Sequence, residues 1–354
     1  MIATISKAEL QSCLGVVSRF SGGAASNYLA CVLLDACDGL VFEATSETES
    51  ARCSSSAMVE AEGNALVPAK KLAGIVKTLP DEAVTIESSD GSATVTCGKA
   101  SFTVPALDPA DFPPFPSVAP EQSVTVGAAV FCDMVRRVAP SAAKGGHHAA
   151  LTGIQVEAAE GTVRMVASDA LRVVCDEEPC GDGGAFSGIV PAGFLYGAVS
   201  LKPSGDVSIS ASGSRAVVEF DGATLVTSLV AAKYPKWEKL FEGDATSSAK
   251  IDRSALAMSV QRASALCGGN GCFELRFSDG GAVASCESDG NGSMSEDIEC
   301  ESDGMCGFKA SVRFLGDALA AIDSETVEIR LENPLKPIVM LGDTVRAVVM
   351  PMRG

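Results

Sequence analysis

Ser168 and Asp169 stand side by side, and a hydroxyl beside a carboxylate is the kind of pair that nucleophilic hydrolysis uses. The chemistry also needs a base. The chain has only two histidines, His147 and His148, adjacent in the glycine-rich stretch Lys144-Gly145-Gly146-His147-His148. No G-x-S-x-G, H-E-x-x-H or G-x-x-x-x-G-K-[ST] signature completes a catalytic or phosphate-binding set. Ser168-Asp169 also has counterparts, Ser46-Glu47 and Ser285-Cys286-Glu287, which suits a turn better than an active site. A non-catalytic protein is expected.

Thirteen cysteines invite a metal or disulfide reading, but their spacing resists it. There is no C-x-x-C; the closest pairs are Cys175 with Cys180, Cys267 with Cys272, and Cys300 with Cys306. A zinc site needs four well-placed ligands and none is spelled out, so neither metal nor cofactor is expected. The odd count fits free, mostly buried thiols in a reducing cytoplasm. The start, Met-Ile-Ala-Thr-Ile-Ser-Lys, lacks the basic head and apolar run of a signal peptide, and no stretch of about 20 apolar residues suggests a membrane span.

The elements that must position these residues repeat. Leu66-Val67-Pro68-Ala69-Lys70-Lys71-Leu72 is followed by a helical stretch to Leu79 and then Val84-Thr85-Ile86. Ile189-Val190-Pro191-Ala192 leads to Phe194-Leu195 and Val207-Ser208-Ile209, and Phe308-Lys309-Ala310 leads to Phe314-Leu315, Leu319 and Val327-Glu328-Ile329. The period is roughly 120 residues, longer than a solenoid's, which implies three similar domains. Each repeat reads as two halves of strand, helix and three strands. Ser6 and Glu9 form a capping box, and Leu10, Cys13, Leu14 and Val17 form an i, i+3, i+4, i+7 stripe. Pro68 reads as the first residue of a second helix, where a missing N–H costs nothing, with Leu72, Ile75, Val76 and Leu79 on one face. Ala93–Cys97 and Ser101–Val104 alternate with period two, as half-buried strands do. Boundaries are expected at the proline-rich run 106–116 and near Glu242-Gly243-Asp244, giving domains 1–118, 119–245 and 246–354.

Hydrophobic residues make up 47% of the 354, with one Trp and three Tyr, so the cores must be aliphatic. The formal net charge of -18 argues against holding nucleic acid by bulk attraction. It leaves open a protein that keeps acid outside and base on one inner face.

Several motifs, in this order on a threefold repeat, resemble the bacterial DNA polymerase III beta sliding clamp family along essentially the whole chain. They are Val67-Pro68-Ala69-Lys70-Lys71, Asp111-Phe112-Pro113, Ser168-Asp169-Ala170-Leu171-Arg172, Tyr234-Pro235, Asn333-Pro334-Leu335-Lys336-Pro337 and Val348-Val349-Met350-Pro351-Met352-Arg353. The resemblance implies an α+β fold of three clamp domains, each with two helices on an inner face and antiparallel sheets outside. It implies two chains joined head to tail in a ring that encircles duplex DNA and tethers the replicative polymerase. A heterologous contact whose rotation closes gives such a ring.

Carried over residue by residue, the DNA channel would hold Lys7, Lys70, Lys71, Lys77, Arg136, Arg137, Lys144, His148 and Arg262. Lys70 and Lys77 lie two turns apart, away from the apolar stripe. At the fourth helix, Ala192-Gly193 replaces basic residues of relatives. Phe102 and Val104 of one chain would pack near Ala265 and Leu266 of the next, with Lys99 facing Glu296 and Asp297. A cleft for short hydrophobic motifs would be lined by Leu151, Ser168, Ala170, Leu171, Arg172, Val173, Pro235, Lys239, Leu240, Leu335, Pro337, Val348, Met350, Pro351, Met352 and Arg353. Its partners would be the polymerase catalytic subunit, the clamp loader, and mismatch-repair and translesion proteins. Ala170-Leu171 departs from the Gly-His or Ser-His usual at that point. The Met350-Pro351-Met352 end suits such a cleft on physical grounds, since methionine adapts to varied partners. A clamp-like adaptor that binds partners without encircling DNA is the alternative.

Overall fold

The computed structural model describes residues 1–22, 28–89, 91–146, 148–181, 184–269, 271–278, 280–288, 290, 292–304 and 306–352. Six strand–helix–strand halves follow one another. The first repeat runs β1 (Ile2–Ser6), α1 (Lys7–Val17), β2 (Cys31–Ala36), β3 (Leu40–Thr45), β4 (Glu49–Ser55) and a short β5 (Met58–Ala61). It continues with β6 (Gly63–Pro68), α2 (Ala69–Thr78), β7 (Ala83–Ser89), β8 (Ser92–Cys97) and β9 (Ala100–Pro105). The second holds β10 (Gln122–Gly127), α3 (Ala128–Val138), β11 (Gly153–Ala159), β12 (Thr162–Ser168) and β13 (Arg172–Pro179). After these come β14 (Phe186–Pro191), α4 (Ala192–Ser200), β15 (Asp206–Ser212), β16 (Arg215–Phe220) and β17 (Ala223–Ser228). The third holds β18 (Ser247–Asp252), α5 (Arg253–Cys267), β19 (Cys272–Ser278), β20 (Gly281–Ser288), β21 (Gly292–Ile298) and a short β22 (Cys300–Asp303). It ends with β23 (Gly307–Ser311), α6 (Val312–Ala321), β24 (Thr326–Leu331), β25 (Ile338–Leu341) and β26 (Val345–Val349).

Local chemistry accounts for the helix starts. Ser6 Oγ accepts the Glu9 N–H at 3.2 Å, and its hydroxyl donates to the Glu9 carboxylate at 2.8 Å. The cap is thus real, although Glu9 reaches the Ser6 hydroxyl rather than its backbone N–H. Asp252 caps α5 through the Ala255 N–H at 2.7 Å. Pro68 sits one residue earlier than its sequence suggests. With ψ at 113° it stays extended, ends β6 opposite Cys31, and serves as the N-cap of α2. Leu10, Cys13, Leu14 and Val17 are all buried, as are Leu72, Val76 and Leu79, while Ile75 is half-buried.

By packing, the chain divides into two compact units, Met1–Ala129 with Gly197–Leu229, and Val130–Tyr196 with Val230–Gly354. The first unit holds a five-stranded sheet, β5-β1-β7-β8-β9, and an eight-stranded one, β10-β15-β16-β17-β4-β3-β2-β6. The second holds a nine-stranded sheet, β14-β11-β12-β13-β26-β25-β24-β18-β22, and a four-stranded one, β21-β20-β19-β23. Neighbours pair antiparallel, and two sheets cross from repeat to repeat. Thr224 of β17 lies opposite Arg52 of β4, and Val173 of β13 lies opposite Val348 of β26. The second join matters for function, because it sets the head of β13 beside the tail of the chain. Among the described residues, no helix is long and apolar enough to cross a membrane.

Candidate functional site

The turn between β12 and β13 is tied by its own side chains. Ser168 Oγ donates to the Arg172 carbonyl at 2.7 Å and accepts the Ala170 N–H at 3.1 Å. Asp169 Oδ1 accepts the N–H groups of Leu171 and Arg172 at 3.0 and 3.1 Å. Every oxygen of the apparent hydrolytic pair is therefore spent on a turn. Ala170 takes a φ of +73°, a left-handed conformation that favours glycine and costs a residue with a Cβ roughly 1–2 kcal/mol. The turn pushes Leu171 outward, 52% exposed.

Beside this turn lies an apolar cluster built from Leu151, Val173 and Val348 together with Val166, Cys175, Ile189, Tyr234 and Trp237. Leu240, Phe241 and Val339 pack against it, half-buried. Trp237 is the only tryptophan of the chain; its ring meets Phe241 edge-on at 5.9 Å and its N–H donates to Gln155 at 3.2 Å. Burial pushes the Cys175 thiol up to about 11, so this floor stays neutral. Lys239, Leu240 and Pro337 line a cavity of about 190 Å³. Leu335 and Met352 line another of about 410 Å³ with Phe277, Phe308 and Lys309. The chain end is held by two backbone bonds, from the Met350 N–H to the Leu171 carbonyl at 2.9 Å and from the Met352 N–H to the Lys309 carbonyl at 2.8 Å.

Of the residues expected at the cleft, Leu151, Val173 and Val348 are buried in this cluster, Ala170, Leu171, Pro235, Lys239 and Leu335 are exposed, and Leu240, Pro337, Met350, Pro351 and Met352 are half-buried. Two do not line a surface. Ser168 is buried in its turn. Arg172, 2% exposed, points inward: it pairs with Asp169 at 3.0 Å and with Asp317 of α6, donates to the Pro140 carbonyl, and stacks over Phe314 at 4.7 Å. Its role is support, because a buried guanidinium is tolerated only when its donors are satisfied. Arg353 lies outside the described residues. Trp237 and Asp317 went unnoticed in the sequence, although Tyr234-Pro235-x-Trp237 places two aromatic rings three residues apart.

The basic residues sort less uniformly. In the first unit, Lys70, Lys71 and Lys77 are exposed on α2, opposite Leu72 and Val76, while Lys7 turns its ammonium onto the Leu79 carbonyl just past α2. In the second unit, Lys144 and His148 are exposed; Arg136 is exposed and bridges Asp133 at 3.0 Å. Arg137 is half-buried. Its guanidinium is committed to Asp176 at 3.1 Å, Glu178 at 3.2 Å and Asp323 at 3.7 Å, because desolvated carboxylates under it need a counter-charge. Burial pushes the Asp176 carboxyl up, and hydrogen bonds from Arg137 and Thr344 bring it part of the way back. Arg262 pairs with Glu296 of its own chain at 2.7 Å, so each neutralises a charge expected on a different surface.

The residues expected between chains lie on or near two strands, β9 and β21, that end their sheets among the described residues. On β9, Phe102 is 36% exposed, but Val104 is buried in its own sheet and leaves the edge to Phe102. Lys99 is exposed in the turn before it. In the second unit, Ala265 is exposed and Leu266 half-buried near the end of α5, and Asp297 is exposed on the edge strand β21.

Three models of one family match in order: the DNA polymerase III beta subunit N-terminal domain over residues 3–116, its central domain over 125–236, and its C-terminal domain over 238–353. The curated beta sliding clamp of Micrococcus luteus is 30% identical, over 77% of this chain and 90% of its own. The chain belongs to the DNA polymerase III beta subunit family. The beta sliding clamp of Streptomyces coelicolor is 29% identical over 92% of both chains. The crystal structure of the DNA polymerase III subunit beta from Pseudomonas aeruginosa shares the fold, with a TM-score of 0.93, 23% identity and complete coverage of both chains. The beta subunit is a non-catalytic processivity subunit of the polymerase, in keeping with a Ser168-Asp169 pair consumed by a turn. Its three repeats are clamp domains.

Proposed function

We propose that two copies of this chain join head to tail into a ring that encircles duplex DNA, slides along it in the cytoplasm, and tethers the polymerase. The clamp domains are taken as residues 1–118, 119–245 and 246–354. The observation that carries the reading is the ordered match of all three family domains on a chain in which, among the described residues, β9 and β21 end their sheets. An open strand edge invites a partner strand, and pairing one edge with the other closes both. Phe102 then meets Ala265 and Leu266 of the neighbour, and Lys99 faces Asp297.

The net charge of -18 fits this task. Non-specific DNA binding by charge alone has dissociation constants of roughly 10⁻⁴ to 10⁻⁶ M at physiological salt, and an acidic protein does worse. A closed ring is held by topology, so Lys70, Lys71, Lys77, Arg136, Lys144 and His148 need only guide phosphates. The cleft around Leu171, Leu335 and the Leu151–Val173–Val348 floor takes motifs with a Gln followed by Leu and Phe anchors, carried by the polymerase catalytic subunit, the clamp loader, and mismatch-repair and translesion proteins.

Light scattering tests the ring. A dimer is expected for the unaltered chain and a monomer for Leu266→Asp, which would bury an unpaired charge in the contact. A Leu266→Asp protein that remains dimeric overturns this assignment. Retention on closed circular DNA and loss from linear DNA separate a ring from the adaptor that does not encircle DNA.

A further inference from the structure

Cys267 ends α5, and Cys286 lies on β20, the strand beneath it. Their sulfurs stand 2.8 Å apart, with the Cys286 thiol directed at Cys267. A disulfide needs about 2.05 Å, so less than an ångström of closure separates the pair from a covalent bond. The two thiols differ in access: Cys286 is 3% exposed, whereas Cys267 is partly open to solvent. The loop after α5 makes room for this sulfur. A Cβ at Gly271 would collide with Cys267 Sγ, so only glycine fits there. Burial pushes the Cys286 thiol up to about 12, so the more open Cys267 is the sulfur that meets the oxidant first and Cys286 gives up its proton only as it attacks.

We propose that Cys267 and Cys286 are a redox-active dithiol that closes reversibly into an intrachain disulfide. The oxidant is a small-molecule disulfide. The Cys267 thiolate attacks one of its sulfurs, forms a mixed disulfide and releases one thiol, which takes up the Cys267 proton. The Cys286 sulfur then attacks Cys267, and a second thiol leaves with the Cys286 proton. Two protein thiols lose two electrons in total, and one disulfide becomes two thiols. Such bonds in a reducing compartment are transient and sense redox state. The bond staples the last turn of α5 to β20, and that turn carries Ala265 and Leu266. On the ring reading above, the staple fixes the contact between chains and slows its opening.

The molecule holds its own comparator. Cys13 and Cys53 are 3.0 Å apart, but both are buried, at 4% and 5% exposed, so no oxidant reaches them in the folded chain.

The full-length protein is incubated with oxidised glutathione and mapped by non-reducing mass spectrometry. A Cys267–Cys286 linked peptide is expected as the dominant product, reversed by dithiothreitol and retained in Cys272→Ser. In Cys286→Ser, Cys267 should instead accumulate as the mixed disulfide. A mixed disulfide that persists at Cys267 in the unaltered chain, or a link through Cys272, overturns the proposal. So does a Cys13–Cys53 link forming at the same rate in folded protein, which would show that exposure does not select the site. Subunit exchange between differently labelled rings should slow severalfold on oxidation, and an unchanged rate with the disulfide formed removes the proposed effect on the ring. The linkage is read on each chain separately, so a failure of the ring contact, seen as a dimeric Leu266→Asp protein, leaves the dithiol result standing.

Discussion

Buried Arg172 at the head of β13 pairs with the partly exposed Asp317 of α6, and through it the β12–β13 turn is anchored to a helix of the following repeat. The same guanidinium holds Asp169 at 3.0 Å, so one side chain joins the turn, the helix and the Pro140 carbonyl. Removing one partner of a buried pair generally costs 3–5 kcal/mol, because the other charge is left stranded. Asp317→Ala leaves Asp169 in place, and Asp317 is itself 33% exposed, so about 2 kcal/mol is expected here. A urea unfolding midpoint that does not move in this variant would show that Asp169 alone satisfies Arg172.

The division between what the sequence made legible and what it hid follows from this pair. Helices, strands and the threefold repeat depend on local periodicity, and Leu10, Cys13, Leu14 and Val17 are buried as their spacing requires. Of the apolar cluster, Val348 belongs to a motif the sequence shows, whereas Leu151 and Val173 were named only through the family resemblance, and Trp237 not at all. The direction of charged side chains was not. Arg137 finds Asp176, Glu178 and Asp323, and Arg172 finds Asp317, across separations that no local pattern encodes. A basic residue on a helix is therefore a weak sign of a DNA-facing surface until its carboxylate neighbours are known.

Asp176 gives that burial a pH signature. Its folded carboxyl lies above the ordinary value of 3.8, chiefly from desolvation. The native state then binds a proton that the unfolded state releases, so stability falls as pH rises from the unfolded value through the folded one. The penalty is complete above the folded value and absent below 3.8. Asp176→Asn should flatten that part of the pH–stability curve. Arg137→Gln removes a charge that lowers the carboxyl, and should push its titration higher still. A carboxyl carbon resonance that titrates at or below the ordinary aspartate value in both backgrounds contradicts this account.

Lysines on α2 and Arg137 should separate in DNA binding. Lys70→Ala and Lys77→Ala each remove an exposed charge, and each should reduce the slope of log affinity against log salt by about 0.9 if that lysine meets one phosphate. Arg137→Gln should leave the slope unchanged while lowering stability, since its guanidinium already serves three carboxylates. Binding to short duplexes of different sequence, measured by anisotropy over a salt series, reads both effects. A loss of slope in Arg137→Gln would return that residue to the DNA-facing set.

Trp237 supplies a reporter for the cleft. It is the chain's sole tryptophan and is buried in the floor with Leu151, Val173 and Val348. A peptide with Leu and Phe anchors should therefore shift its emission on binding. Each buried anchor contributes roughly 1.5–3 kcal/mol gross, and ordering a flexible peptide offsets part of that. An affinity near micromolar, about 8 kcal/mol, is expected, weak enough for partners to exchange on one ring. Ending the chain after Val349 removes Met350 and Met352, with their bonds to the Leu171 and Lys309 carbonyls. It takes away one wall of the cleft and leaves β26 paired to β13. Affinity should fall at least tenfold, about 1.4 kcal/mol, while the dimer persists by light scattering. Equal peptide affinity in the truncated and full-length proteins would move the binding site to another surface, because no peptide seated against Met350 and Met352 can lose them without weakening.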